Sequence, residues 1–139
     1  MGNKKWLVNI LVIEECVGLY EALTRRLDGL LPKNANVVCC KDFNRGLDDL
    51  RELGFFHIVV LGTTASDTDE SIARRLNLIR QAARRQPKLA LFAASPPIDP
   101  APLRVHHIVQ KTNMPELALA ITLIMQGFSR ETLEGWMTS

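Results

Sequence analysis

The stretch LVNILVIEE, Leu7 to Glu15, decides the fold. A short run rich in Val and Ile that stops on two acids reads as a strand buried on both faces. Such a strand needs cover on both sides, and the chain supplies it in alternation. Leu19, Leu23, Leu27 and Leu30 recur at spacings of four, four and three, the stripe of a helix that Pro32 and Asn34 end. Val37–Cys40 reads as a second short strand. Asp42 is placed to cap a helix with the stripe Phe43, Leu47, Leu50 and Leu53, closed by Gly54. HIVVL, His57 to Leu61, is a third and plainly buried strand.

The same alternation runs to the end of the chain. A polar loop from Gly62 to Asp69 leads into a helix carrying Ile72, Leu76, Ile79 and Ala83, which stops before Pro87. Leu89–Ala94 reads as strand four and Val105–Val109 as strand five. Four prolines between Ser95 and Arg104 predict a loop there instead of a full helix. Asn113 caps a last helix with the stripe Leu117, Ile121, Ile124 and Phe128. Parallel crossovers need helices, so the pattern implies an α/β fold of flavodoxin-like type. The expected sheet is five-stranded, parallel and doubly wound, in the order 2-1-3-4-5, with the fourth helix shortened or replaced by the proline loop.

Composition agrees with one domain. The 139 residues are 47% hydrophobic and 23% charged, with a formal net charge of +2. That is too apolar for disorder, and too balanced to point to nucleic acid or an anionic membrane as a bulk partner. No apolar run approaches the roughly 20 residues of a membrane span. Behind Lys4 and Lys5 the apolar run meets Glu14 and Glu15 without a small-residue cleavage site, so a cytoplasmic protein is expected. Three cysteines, two of them adjacent, fit a reducing compartment and no disulfide framework.

In open α/β sheets the working groups lie at the carboxyl ends of the strands. Here those positions hold Glu14, Glu15 and Cys16, then Gly62, Thr63 and Thr64, then Ala93, Ala94 and Ser95, and finally Lys111. From Leu7 to Phe128 the chain resembles the receiver domains of two-component response regulators. The resemblance places Glu14 and Glu15 at the family's Mg²⁺-binding acid pair and Lys111 at its conserved lysine, here followed by Thr112 where the family has proline. It places Gly62 at the phosphoacceptor aspartate, Ala93 at the switch hydroxyl (Ser95 if the register slips) and Ile108 at the switch aromatic.

These departures point to a degenerate pseudo-receiver. Glycine supplies no nucleophile, and a Mg²⁺ site that loses a carboxylate is weak or absent, with Glu14 and Glu15 its remaining ligands. No other cofactor and no enzymatic activity are expected. Glu14 and Glu15 also read as acids satisfied by Lys111 and loop amides. Asp67 and Asp69 lie too far beyond the strand end to serve as acceptors, and Asp69 reads equally as a helix cap. Cys16, flanked by Glu14, Glu15 and Glu21, is poorly placed to hold phosphate. His106 and His107, like Cys39 and Cys40, alternate across a strand, so neither pair chelates a metal. Arg74, Arg75, Arg84, Arg85 and Lys88 read as a solvated basic face.

The expected function is a phosphorylation-independent signalling domain that acts by protein–protein contact in bacterial signalling or transcriptional control. The alternative is a small-molecule sensor using the vacated acidic pocket or the space left by the fourth helix. The expected partners are an output domain of the same chain or a separate signalling protein, with no membrane and no direct nucleic-acid contact. Residues 1–128 form the domain, and 129–139 extend the last helix or begin a linker. Leu119 and Leu123, one turn apart and opposite the core stripe, predict an association face that includes a homodimer.

Overall fold

The computed structural model describes residues 7–53 and 55–128. The proposed extension or linker at 129–139 lies outside them, as does Gly54. The elements run β1 (Val8–Ile13), α1 (Val17–Leu30), β2 (Ala35–Cys40), α2 (Phe43–Glu52), β3 (Ile58–Gly62), α3 (Asp69–Ala82), β4 (Lys88–Ala93), a 3-10 turn (Ala101–Leu103), β5 (His107–Gln110) and α4 (Met114–Gln126). The strands form one sheet in the order β2-β1-β3-β4-β5, every pair parallel. No helix among the described residues is long and apolar enough to cross a membrane.

The two-residue period of β1 and β3 divides the core. Ile10, Val12, Ile58 and Val60 pack beneath α1 and α4 against Leu23, Leu27, Leu117 and Ile121. Leu11, Ile13, Val59 and Leu61 pack beneath α2 and α3 against Leu47, Leu50, Leu76 and Ile79. Gly46 lets α2 lie close on β1, since a Cβ there would meet Ile13 Cδ1 at 2.7 Å. Capping follows the sequence: Asp42 accepts from Asn44 N, and Asn113 accepts from Glu116 N. A reciprocal Thr68–Ser71 capping box opens α3.

Some boundaries differ from the sequence expectation. β2 begins at Ala35, and β5 is His107–Gln110 instead of Val105–Val109. Leu30 and Leu53 belong to the periodic stripes yet are exposed, because each lies at the end of its helix. Periodicity fixes a residue's direction around a helix, not whether the sheet reaches far enough to cover it.

The proline segment forms no full helix, yet it is anchored. Leu103 is buried and plugs into the α2–α3 side of the core. Arg80 Nη2 donates to the carbonyls of Leu103 (2.7 Å) and Arg104 (3.2 Å). The carboxylate of Asp69 accepts from Ile98 N and Asp99 N at 3.1 and 2.8 Å.

His57, buried at the amino end of β3, accepts from Asn9 N at 2.9 Å through Nδ1. Protonating Nδ1 would turn this acceptor into a donor facing a donor. Burial pushes the ring's pKa down from 6.5 to about 4. The unfolded chain therefore takes up a proton that the native chain refuses. Stability should be complete above pH 6.5 and decline by about 2–3 kcal/mol as pH falls toward 4. Urea denaturation at pH 7 and pH 4.5 should show this decline in the wild type and a smaller one in His57→Leu.

Candidate functional site

The carboxyl ends of β1, β3, β4 and β5 meet around one carboxylate. Glu14 follows β1 directly, its N–H donating to Cys40 O at 2.8 Å, and its residue is 1% exposed. Its Oε2 accepts from Lys111 Nζ at 2.8 Å and from Cys16 N at 3.0 Å. Lys111 is placed by its own N–H, which donates to Ala93 O at 3.0 Å. β4 thus sets the lysine's height above the sheet, and the pair is largely shielded from water.

The other oxygen of Glu14, Oε1, is buried without a hydrogen-bond partner. It points at Gly62. A Cβ built on Gly62 would collide with Glu14 Oε1, lie 2.9 Å from Glu14 Cδ and 3.0 Å from Ile13 O. Gly62 is therefore demanded by space: the glutamate of β1 occupies the volume a side chain of β3 would use. Thr63 follows, its N–H donating to Phe92 O at 3.0 Å and its buried Oγ1 without a partner.

Glu15 is directed elsewhere. Its Oε1 pairs with Arg75 on α3 at 2.8 Å, and Arg75 also stacks on the Phe43 ring at 4.9 Å. Arg75, read from sequence as part of a solvated basic face, is thus a partner of the acid pair. Mg²⁺ asks for several oxygen ligands around one point. The two glutamates answer to two different cations, and the described residues contain no group of three His, Cys, Asp or Glu that could hold a metal. The geometry does not fit the metal.

Asp67 and Asp69 both serve the backbone. Asp67 accepts from Thr64 N at 2.7 Å and from Ser71 Oγ at 3.1 Å. Burial alone would raise its pKa, but those hydrogen bonds and the nearby Arg75 charge outweigh it and hold the carboxyl below its usual range. Asp69 holds the proline segment. Ala93 is buried at the end of β4, Ser95 is exposed in the following bend, and Ile108 is half-buried against the α2–α3 core. Cys16 is exposed, and burial pushes the Cys39 and Cys40 thiols up. Leu119 and Leu123 are 58% and 48% exposed on α4, across the helix from buried Leu117 and Ile121.

No protein-family model and no curated protein matches the chain. Solved structures do share its fold. A pilus assembly protein, CpaE from Caulobacter crescentus, superposes with a TM-score of 0.69 at 12% identity, over 84% of this chain and 92% of that one. The signal receiver domain of NarL from Mycobacterium tuberculosis gives 0.65 at 17% identity, over 88% and 98%. The non-phosphorylated HemR receiver domain from Leptospira biflexa gives 0.64 at 17%, over 88% and 97%. The molecule is a doubly wound α/β domain with the five-stranded architecture of receiver domains. At these identities the likeness is one of fold.

Proposed function

We propose that this chain is a receiver-like signalling domain that acts by protein–protein contact and without phosphorylation. The observation that carries the reading is the placement of Glu14. Its carboxylate fills the space beside Gly62 and holds Lys111, so β3 offers neither a nucleophile nor room for a phosphoryl group. Lys111 is engaged by a buried glutamate that is itself held by the Cys16 amide. Ala93 and Ile108 supply neither the hydroxyl nor the ring that reports phosphorylation. A ligand-sensing role is less well supported, because the acid pair is engaged by Lys111 and Arg75 and Leu103 fills space beside the proline segment.

Incubation with acetyl phosphate and Mg²⁺ should leave the intact mass unchanged. Beryllofluoride should cause no shift of the Gly62 or Lys111 amide resonances. A stoichiometric, acid-labile phosphate on the wild type would overturn the reading.

The contact surface proposed is the outer face of α4, used toward an output domain, a separate signalling protein or a second copy. Leu119 and Leu123 form its apolar centre. Burying both would contribute on the order of 3 kcal/mol per partner by area, before the cost of association. Leu119→Glu with Leu123→Glu should leave the circular dichroism spectrum and urea midpoint nearly unchanged and lower the mass seen in sedimentation. An unaltered sedimentation profile, both alone and with an attached output domain, would remove α4 from consideration as the interface.

A further inference from the structure

Charge is segregated along this nearly neutral chain. From Ser71 to Pro115 it carries eight lysines and arginines and a single acid, Asp99. Two of those cations, Arg75 and Lys111, meet Glu15 and Glu14 at the carboxyl end of the sheet. Several of the others gather at the opposite end, around an open cavity of about 330 Å³ lined by Arg80, Lys88, Arg104 and His106 and by no acid. Arg80, Lys88 and Arg104 make no salt bridge among the described residues.

The carboxyl end of α3 favours nearby cations, which accounts for Arg80 at its last turn. It does not account for Lys88 on β4, or for Arg104 and His106 on the lead into β5. Like charges brought together from three elements repel: Arg104 lowers the pKa of Arg80 behind the larger effect of burial, and Lys88 and Arg80 are among the charges that lower that of His106 after its own burial. Two of the groups, Arg80 and His106, are also anchored. Arg80 is fixed by the Leu103 and Arg104 carbonyls, and Gln86 Nε2 donates to Arg80 O at 3.0 Å. His106 Nδ1 accepts from Leu89 N at 3.3 Å, which leaves the Nε2 proton of the neutral ring as a donor. Arg104 is the one non-glycine residue with positive φ among the described residues, at φ 54°. That conformation caps the 3-10 turn: Arg104 N–H donates to Ala101 O at 3.3 Å and its carbonyl accepts from Arg80, which fixes where the Arg104 side chain leaves the backbone.

From these features we propose that the cavity between the end of α3, the start of β4 and Arg104 binds a small anion bearing several phosphoryl groups. Three cations, of which Arg80 is anchored, together with a ring N–H donor suit a di- or triphosphate, and the concave, acid-free lining suits a small ligand better than a flat protein surface. The source is either an inorganic polyphosphate or the phosphate tail of a nucleotide. The site is independent of the Glu14–Lys111 pair and of the function proposed above.

Calorimetric titration with inorganic tripolyphosphate, at constant ionic strength set with chloride, should show saturable one-to-one binding. Lys88→Gln and Arg104→Gly should each weaken it about tenfold. Arg104→Gly relaxes the backbone, so its fold is expected to survive, and circular dichroism checks that. A parallel titration with ATP separates the sources: tighter binding assigns the site to a nucleotide, equal or weaker binding to polyphosphate alone. Absent saturation, equal affinity in folded Arg104→Gly and Lys88→Gln, or binding of a short DNA duplex but not tripolyphosphate would each overturn the proposal.

Discussion

Gly62→Asp is expected to destabilise the domain by on the order of 4 kcal/mol and to create no phosphorylation site. The new Cβ would enter the space of Glu14 Oε1, and Glu14 is not free to swing away, since Lys111 and the Cys16 amide hold its other oxygen. Ile13 O, 3.0 Å from that Cβ, is backbone and yields little. The added carboxylate would stand beside a buried one with a single ammonium to serve both. Chemical denaturation should show a large drop in midpoint with an unchanged slope, and acetyl phosphate should still leave the folded fraction unmodified. A variant as stable as wild type would mean that Glu14 yields its place readily.

Lys111→Met should cost about 3–5 kcal/mol, because it leaves the carboxylate of Glu14, 1% exposed, without its cation. Replacing both partners at once, as in Glu14→Leu with Lys111→Met, should recover most of that loss, since a buried ion pair is often no more stabilising than apolar groups of similar volume. Arg75→Met provides the contrast. Its pair with Glu15 is partly solvated, so its loss should cost about 1 kcal/mol or less. Equal costs for Lys111→Met and Arg75→Met in urea denaturation would contradict the burial argument.

The sheet was legible because β1 and β3 announce themselves. Continuous branched apolar runs separated by helical stripes leave few arrangements other than a doubly wound parallel sheet. The prolines from Pro96 to Pro102 argue against a full helix between β4 and β5, and only a 3-10 turn forms there. They said nothing of the Leu103 plug or the Arg80 clamp, which arise when α3 and the 3-10 turn are brought together. The site was half legible. Glu14, Gly62 and Lys111 stood out as strand-end positions, and a satisfied Glu14–Lys111 pair was a natural reading of them. The overlap of Glu14 with the space of Gly62 leaves only a faint signal in the sequence: an acid with a long side chain just after β1, opposite a glycine at the end of β3. Arg75 could not be found by spacing, because it reaches Glu15 across 60 residues of sequence from a different element. The cationic cavity was hidden for the same reason, since Arg80, Lys88, Arg104 and His106 converge only in three dimensions.

The central claim, that the carboxylate of Glu14 stands where a side chain of residue 62 would otherwise be, is tested most directly by a thermodynamic cycle between the two positions. Gly62→Ala carries no charge and isolates the steric term. In the wild type it should cost about 2 kcal/mol or more, as overpacking against a pinned side chain does. In a Glu14→Ala background the same substitution should cost less than about 1 kcal/mol, because alanine itself is favoured over glycine in a strand and the two nearest atoms, both of the Glu14 carboxylate, are gone. A coupling of at least 1 kcal/mol between Glu14 and Gly62 is the predicted result. Additive effects, with Gly62→Ala costing the same in both backgrounds, would contradict it.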